Sequence, residues 1–263
     1  MITSYYDKEN RRIVQVGTVS NPGFWDNHWK TNPVKVYSRK HSFVLPIIKK
    51  FLKKGRILEG GCGLGDKVYL LQKKGYEAIG VDYAKETVEK VKNLMPSLDI
   101  RFADVRQLPF SDEFFDGYLS LGVIEHFYSG YGQIIKEMRR VIKKGGFAFV
   151  GFPSLSLLRK IKIKRNFYPL WEEKEDLVNN FYQFTLDHNK VINDFSREGF
   201  QLKHLYLCDA VKGIKDEVAF FKRPFQFIYD KQSLYSKALK YGVSRIFSWF
   251  GGHLALTVFS KEK

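Results

Sequence analysis

The stretch Ile57-Leu-Glu-Gly-Gly-Cys-Gly-Leu-Gly65 decides how this chain is read. A short apolar run carries one acid, Glu59, and passes into glycines spaced Gly61-x-Gly63-x-Gly65, with Asp66 and a helical pattern following. Such a stretch reads as a buried strand, a tight loop and a helix start. Glycine tolerates the backbone angles of the turn and leaves no side chain between main chain and ligand. The amino end of the helix then points at whatever the loop holds. The dinucleotide spacing G-x-G-x-x-G is not met, since the sixth position counted from Gly61 is Asp66. An acid there repels a pyrophosphate but not a ligand anchored by an amino acid group, which disfavours a nicotinamide dehydrogenase.

Outward from the loop, apolar runs alternate with helical periodicity. Strands are expected at 56–59, 77–81, 99–103, 115–121, 147–152, 201–208 and 253–260. Helices are expected at 38–54, where Pro46 would kink the element, and at 66–74, 85–93, 131–143 and 185–198. Gly75, Gly145-Gly146 and Gly199 act as stops. This rhythm implies an α/β fold, a Rossmann-like doubly wound sheet with ligands at the carboxyl ends of its strands. Asp82 closes the second strand, where its carboxylate can accept hydrogen bonds from both hydroxyls of a ribose, and Asp104 with Val105 closes the third. The organisation expected is an amino-terminal cap and first helix (1–55), a binding core (56–152), and the rest of the same domain (153–263). That last part carries insertions at 153–181 and 211–252 which would build an acceptor site.

A chain of 263 residues, 44% hydrophobic, can bury the core of one such domain. Two cysteines, Cys62 and Cys208, give no disulfide framework and suggest a reducing compartment. The amino terminus lacks a basic region followed by an apolar stretch, and no window is apolar enough to span a bilayer, so a cytoplasmic location is expected. The formal charge of +16 favours polyanionic surroundings, among them RNA, phosphorylated metabolites and acidic lipid headgroups, or else serves only solubility. No metal is expected.

At these residues the chain resembles the class I S-adenosylmethionine-dependent methyltransferases, in particular the type 11 group. The matching stretches are 57–65, Ala78-Ile-Gly-Val-Asp82, Phe102-Ala-Asp-Val105 with Leu108-Pro-Phe110, and Phe115-Asp-Gly-Tyr-Leu-Ser-Leu-Gly-Val-Ile-Glu-His126. The resemblance covers 56–152 well and the remainder loosely. It implies a seven-stranded sheet ordered 3-2-1-4-5-7-6 with the last strand antiparallel, S-adenosylmethionine as cofactor and S-adenosylhomocysteine as product. It further implies that Glu59 and Gly61 lie near the methionine amino group and that Asp82 holds the ribose. Asp104 and Val105 would hold the adenine, and Leu121 and Gly122 would border the methionine portion. Cys62, Gly63, Gly65 and Tyr83 complete the implied cofactor set.

His126, just past the fourth strand, reads either as a general base for an acceptor hydroxyl or amine, or as a structural histidine bordering the site. Methyl transfer needs in-line placement and exclusion of water more than it needs a base. Trp25 and Trp29 either pack the core or offer aromatic faces to the sulfonium. The basic run Arg159-Lys-Ile-Lys-Ile-Lys-Arg165 either meets an acceptor phosphate or is a solvated face. Leu239, Val243, Ile246, Phe247 and Phe250 fall near one helical face with Lys237, Lys240 and Arg245 interspersed. That pattern suits an anionic membrane surface, a lid or a dimer contact. The expected activity is methylation of a small-molecule or lipid-linked acceptor. The alternatives are an RNA methyltransferase, for which no appended RNA-binding module is present, and a non-catalytic regulatory protein that holds the donor.

Overall fold

The alternation of apolar runs and glycine stops is realised in a computed structural model that describes residues 2–30, 42–230 and 233–262. A hairpin, β1 (Thr3–Asp7) and β2 (Arg12–Val16), precedes α1 (Pro22–Lys30) and α2 (Val44–Phe51). The core follows as β3 (Arg56–Gly60), α3 (Asp66–Gln72), β4 (Glu77–Asp82), α4 (Lys85–Leu94), β5 (Ile100–Phe102) and β6 (Phe115–Leu121). A 3-10 turn at Ile124–His126 leads into α5 (Gly132–Val141) and β7 (Ile142–Pro153). Next come α6 (Leu157–Lys164), α7 (Glu175–Val178), β8 (Phe181–Thr185), α8 (His188–Arg197) and β9 (Phe200–Cys208). The chain ends through α9 (Ala210–Glu217), α10 (Ala219–Asp230), α11 (Leu234–Gly251) and β10 (Leu254–Lys261).

Seven strands form a mostly parallel sheet with one antiparallel pair, ordered β5-β4-β3-β6-β7-β10-β9, which is the order the resemblance implies. In the middle, β3 runs parallel to both neighbours, with Glu59 opposite Gly80 on one side and Leu119 on the other. A parallel strand covered on both faces is apolar throughout, and Ile57, Leu58, Val81 and Leu119 are accordingly buried. Against that background the carboxyl of Glu59 is the exception.

The chain forms two compact units. One comprises Val19–Val150, Asn193–His204 and Thr257–Lys263 and contains the glycine loop. Within it Phe195 stacks on Phe259 at 4.3 Å, joining α8 to β10 through a buried aromatic pair. The other comprises Met1–Thr18, Gly151–Ile192 and Leu205–Leu256. It holds a three-stranded sheet, β1-β2-β8, and the helices α6, α9, α10 and α11.

Three expectations change. The helix expected at 38–54 is α2, beginning at Val44, while 38–41 lie outside the described residues. Pro46 falls in its first turn, where the N–H has no helical partner to lose, so no kink is called for. The helix expected to run to Lys143 ends at Val141, and Gly145-Gly146 lie inside β7 rather than stopping the helix. Gly145 takes φ +77°, and a Cβ on Gly146 would stand 2.9 Å from the Asp116 carbonyl, so the pair lets β7 approach β6 closely. Finally, 1–55 contains a hairpin that sequence periodicity did not show. Its second strand pairs with β8, Ile13 opposite Thr185, a partner no local pattern can announce.

Candidate active site

The loop after β3 closes on itself through backbone. The amides of Gly61 and Cys62 both donate to the Val81 carbonyl, at 2.8 and 3.0 Å, and Gly65 N–H donates to the Cys62 carbonyl at 2.9 Å. Gly61 and Gly63 adopt φ of +70° and +50°; a Cβ on Gly61 would fall 2.5 Å from Val123 Cγ2, and one on Gly63 2.9 Å from the Trp29 ring. Larger residues at either position would therefore face both backbone strain and collision.

The turn borders a cleft at the carboxyl ends of β3 to β6. Its wall includes Glu59, Gly61, Cys62, Gly63, Asp82 and Tyr83, and continues through Asp104, Val105, Leu121, Gly122 and His126. Gly65 alone of the implied set does not line it. It lies instead against Leu98 and Ile100, letting the start of α3 settle close to β5.

Asp82 is buried and accepts hydrogen bonds from Gly63 N–H at 2.8 Å and Ala84 N–H at 2.9 Å, which ties the glycine loop to the end of β4. Burial pushes its carboxyl up, and the amides of Ala84, Gly63 and Tyr83 offset only part of that. Asp104 behaves oppositely. Partial burial raises it, but the bidentate Arg106 guanidinium, at 2.6–3.1 Å, with the Arg106 amide at 2.8 Å, outweighs burial and holds it below the ordinary carboxylate value. Desolvation pushes the Tyr83 phenol up to about 12. It stays protonated and donates to the Ser20 carbonyl at 3.2 Å while the Trp25 indole N–H bonds to its oxygen.

Glu59 is 2% exposed, and its Oε2 finds no hydrogen-bond partner among the described residues. Burial lifts its carboxyl to about 7, against the attraction of Lys67 and the Val68 amide. A buried carboxyl with an open oxygen, turned to a cleft, is a receptor for a cation or a strong donor. Glu125, on the 3-10 turn, has no role assigned by the sequence. It is equally buried, its Oε2 likewise lacks a partner among the described residues, and burial raises it to about 8.

Trp25 and Trp29 line the cleft, and α1 is fastened beneath them: Asp26 accepts from Thr87 N–H and Oγ1–H at 2.8 Å each, and Lys90 Nζ donates to the Trp29 carbonyl at 3.0 Å. Both rings line the cleft, with Trp29 against Gly63 and Trp25 against His126, and neither is buried in the core. His126 borders the cleft edge-on to Trp25 at 5.0 Å, its amide bonded to the Val123 carbonyl. The basic run from Arg159, in the other unit, turns part of its charge inward. Arg159 is buried on Glu217 at 2.8 Å, Lys162 meets the same carboxylate at 2.7 Å, and Lys160 reaches Asp187 at 3.3 Å.

Because the fold holds both glutamates above their ordinary 4.5, the stability they lend is complete below about pH 4.5. It is lost as pH rises through about 7 for Glu59 and about 8 for Glu125. Melting curves of ligand-free protein should fall over that window, and Glu125→Gln should remove the Glu125 share of the fall between about pH 4.5 and 8, roughly 1.4 kcal/mol per pH unit. Superimposable profiles for wild type and the variant would mean that Glu125 ionises freely in the fold.

Residues 58–150 match the family model of the type 11 methyltransferase domain. This segment is a class I S-adenosylmethionine-dependent methyltransferase domain. The methyltransferase domain is 32% identical over 116 residues to a "probable S-adenosylmethionine-dependent methyltransferase" of Mycolicibacterium smegmatis, covering 44% of this chain and 45% of the relative. It is 35% identical over 116 residues to a human "probable tRNA methyltransferase 9B", covering 42% and 25% respectively. The match thus spans less than half the length of these curated relatives. Among solved structures, a TehB-like S-adenosylmethionine-dependent methyltransferase from Corynebacterium glutamicum superposes with a TM-score of 0.55 at 16% identity, over 92% of this chain and all of that one, which shows a shared fold.

Proposed function

We propose that the chain transfers a methyl group from S-adenosylmethionine to an oxygen, nitrogen or carbon of a small-molecule or lipid-linked acceptor. The observation that carries this reading is the unpartnered Glu59 carboxyl on the wall of a glycine-lined cleft that Asp82 and Asp104 also line. Glu59 suits the α-ammonium of the donor, Asp82 its ribose hydroxyls, and Asp104 with the Val105 amide its adenine edge. Gly61, Gly63 and Gly122 leave room for its chain, and Leu121 and Cys62 supply apolar wall. When bound, S-adenosylmethionine supplies an electrophilic methyl on a sulfonium. Trp25 and Trp29 exclude water above it and offer ring faces to the cation. His126 orients the acceptor or takes its proton.

The first test is calorimetric titration with S-adenosylhomocysteine, with NAD as the comparison ligand. Micromolar binding of the first and none of the second is expected; binding of NAD instead would overturn the reading of the glycine loop. A second reading, methylation of RNA, draws on the charge of +16 and on the tRNA methyltransferase relative. Donor turnover with RNA and not with small or lipid-linked acceptors would favour it.

A further inference from the structure

The unit made of Met1–Thr18, Gly151–Ile192 and Leu205–Leu256 carries an exposed apolar surface on its last two helices. A surface helix ordinarily turns its apolar stripe inward and its polar residues to water. In α11 the polarity is reversed on one face: Ser236 and Ser248 are buried, while Tyr235, Leu239, Ile246 and Trp249 are exposed, Tyr235 at 90% and Trp249 at 62%. Their spacing of four, seven and three residues sets these four in one line along the 18-residue helix. The helix packed against it, α10, has no buried residue at all. Phe220, Pro224 and Phe227 recur there at i, i+4 and i+7, with Phe220 82% exposed.

The charge on this segment is as one-sided as its polarity. Residues 219–251 contain Lys222, Arg223, Lys231, Lys237, Lys240 and Arg245 against the single acid Asp230. Arg223 and Arg245 are exposed beside the apolar stripes, and Lys222 is exposed on the opposite side of α10. An apolar face this broad, left in water, marks a surface meant to be covered.

The combination selects the occupant. The buried centre of a protein interface is depleted of lysine, and a second copy of this chain would bring another +16 to the same surface. Nucleic acid would pair with the cations but gives Leu239 and Ile246 nothing to bury against. A bilayer with anionic headgroups satisfies both features. Its phosphates meet Arg223 and Arg245, and its acyl boundary accepts Phe220, Ile246 and Trp249, with tyrosine and tryptophan at the depth their mixed polarity favours. Among the described residues no helix is long and apolar enough to cross a membrane, so contact would be by helices lying in the surface.

We propose that α10 and α11 form a docking surface for an anionic lipid bilayer. This inference does not rest on the methyl-transfer reading, and its test involves no donor and no acceptor.

Full-length protein is sedimented with vesicles of phosphatidylcholine alone and with an equal mixture of phosphatidylcholine and phosphatidylglycerol, at low and high salt. Partitioning at least about tenfold stronger onto the anionic vesicles is expected, weakening with salt. The double variant Ile246→Ser, Trp249→Ser should lose at least about tenfold of that partitioning, since two exposed apolar anchors are removed. A charge-reversed variant, Arg223→Glu with Arg245→Glu, should lose as much. Reversal of Lys73→Glu and Lys74→Glu, exposed on the other unit, should leave partitioning nearly intact. All four positions on the docking helices are exposed, so melting temperature checks that the variants fold. Equal sedimentation with neutral and anionic vesicles would overturn the proposal. So would equal loss in the Lys73/Lys74 control, which would trace binding to overall charge. A dimer that Trp249→Ser dissociates, in protein that ignores vesicles, would assign the face to a second copy and overturn it as well.

Discussion

Replacing Asp82 by alanine is expected to weaken binding of S-adenosylhomocysteine by on the order of 1–3 kcal/mol, roughly five- to 150-fold, measured by calorimetry at neutral pH. Two losses combine. The variant gives up the carboxylate proposed to hold the ribose hydroxyls, and it releases the Gly63 and Ala84 amides that the same carboxylate now ties together. Because those bonds hold the glycine loop against the end of β4, a small fall in melting temperature should accompany the loss of affinity. In Asp82→Asn the amide oxygen keeps one backbone bond while the NH2 faces the other N–H donor, so both affinity and melting temperature should fall below wild type. Unchanged affinity in Asp82→Ala would remove Asp82 from the donor site.

The second large effect is in the pH dependence of donor binding. With its carboxyl lifted to about 7, Glu59 is close to half protonated at neutral pH before ligand arrives. An α-ammonium placed against it favours the carboxylate, so binding drives the proton off. Affinity for S-adenosylhomocysteine should therefore fall by up to about tenfold for each pH unit below 7 and level off above it. Calorimetry in buffers of different ionisation enthalpy should register release of about half a proton at pH 7. Glu59→Gln cannot release a proton. Its affinity should be flat with pH, close to wild type at the acid end and lower by about tenfold or more near pH 8, where wild type presents a full negative charge. Wild-type binding that is level between about pH 5.5 and 8 would show that no ammonium meets Glu59, or that the carboxyl is already ionised in the free protein.

Asp82 and Glu59 were both visible in the sequence because each ends or interrupts an apolar run in a way strand burial does not explain. Local patterning carries this kind of information well, since a parallel strand announces itself by continuous hydrophobicity and a tight loop by its glycines. The state of these acids was not visible. The lift of Glu59 comes from its depth in the middle of the sheet, and the opposite behaviour of Asp104 from an arginine two residues on that folds back over it. Glu125 gave no signal at all. In sequence it is one acid beside a histidine, and in the fold it lies buried within the 3-10 turn Ile124–His126. The same holds for Arg159, one cation in a run of similar ones, which sits buried only because Glu217, 58 positions further on, waits for it.

What the sequence by itself determined was the alternation that builds the sheet, the loop that opens the cleft, and the acids at the strand ends around it. These features depend on neighbours within one or two turns or strands. Only the tertiary structure decided that Trp29 lies against the glycine loop, that β2 joins β8, and that α11 turns an apolar stripe outward. Each of these is set by contacts between residues far apart in the chain, or by the lack of a covering layer. Periodicity can say that a helix has an apolar face but not which side of it meets water.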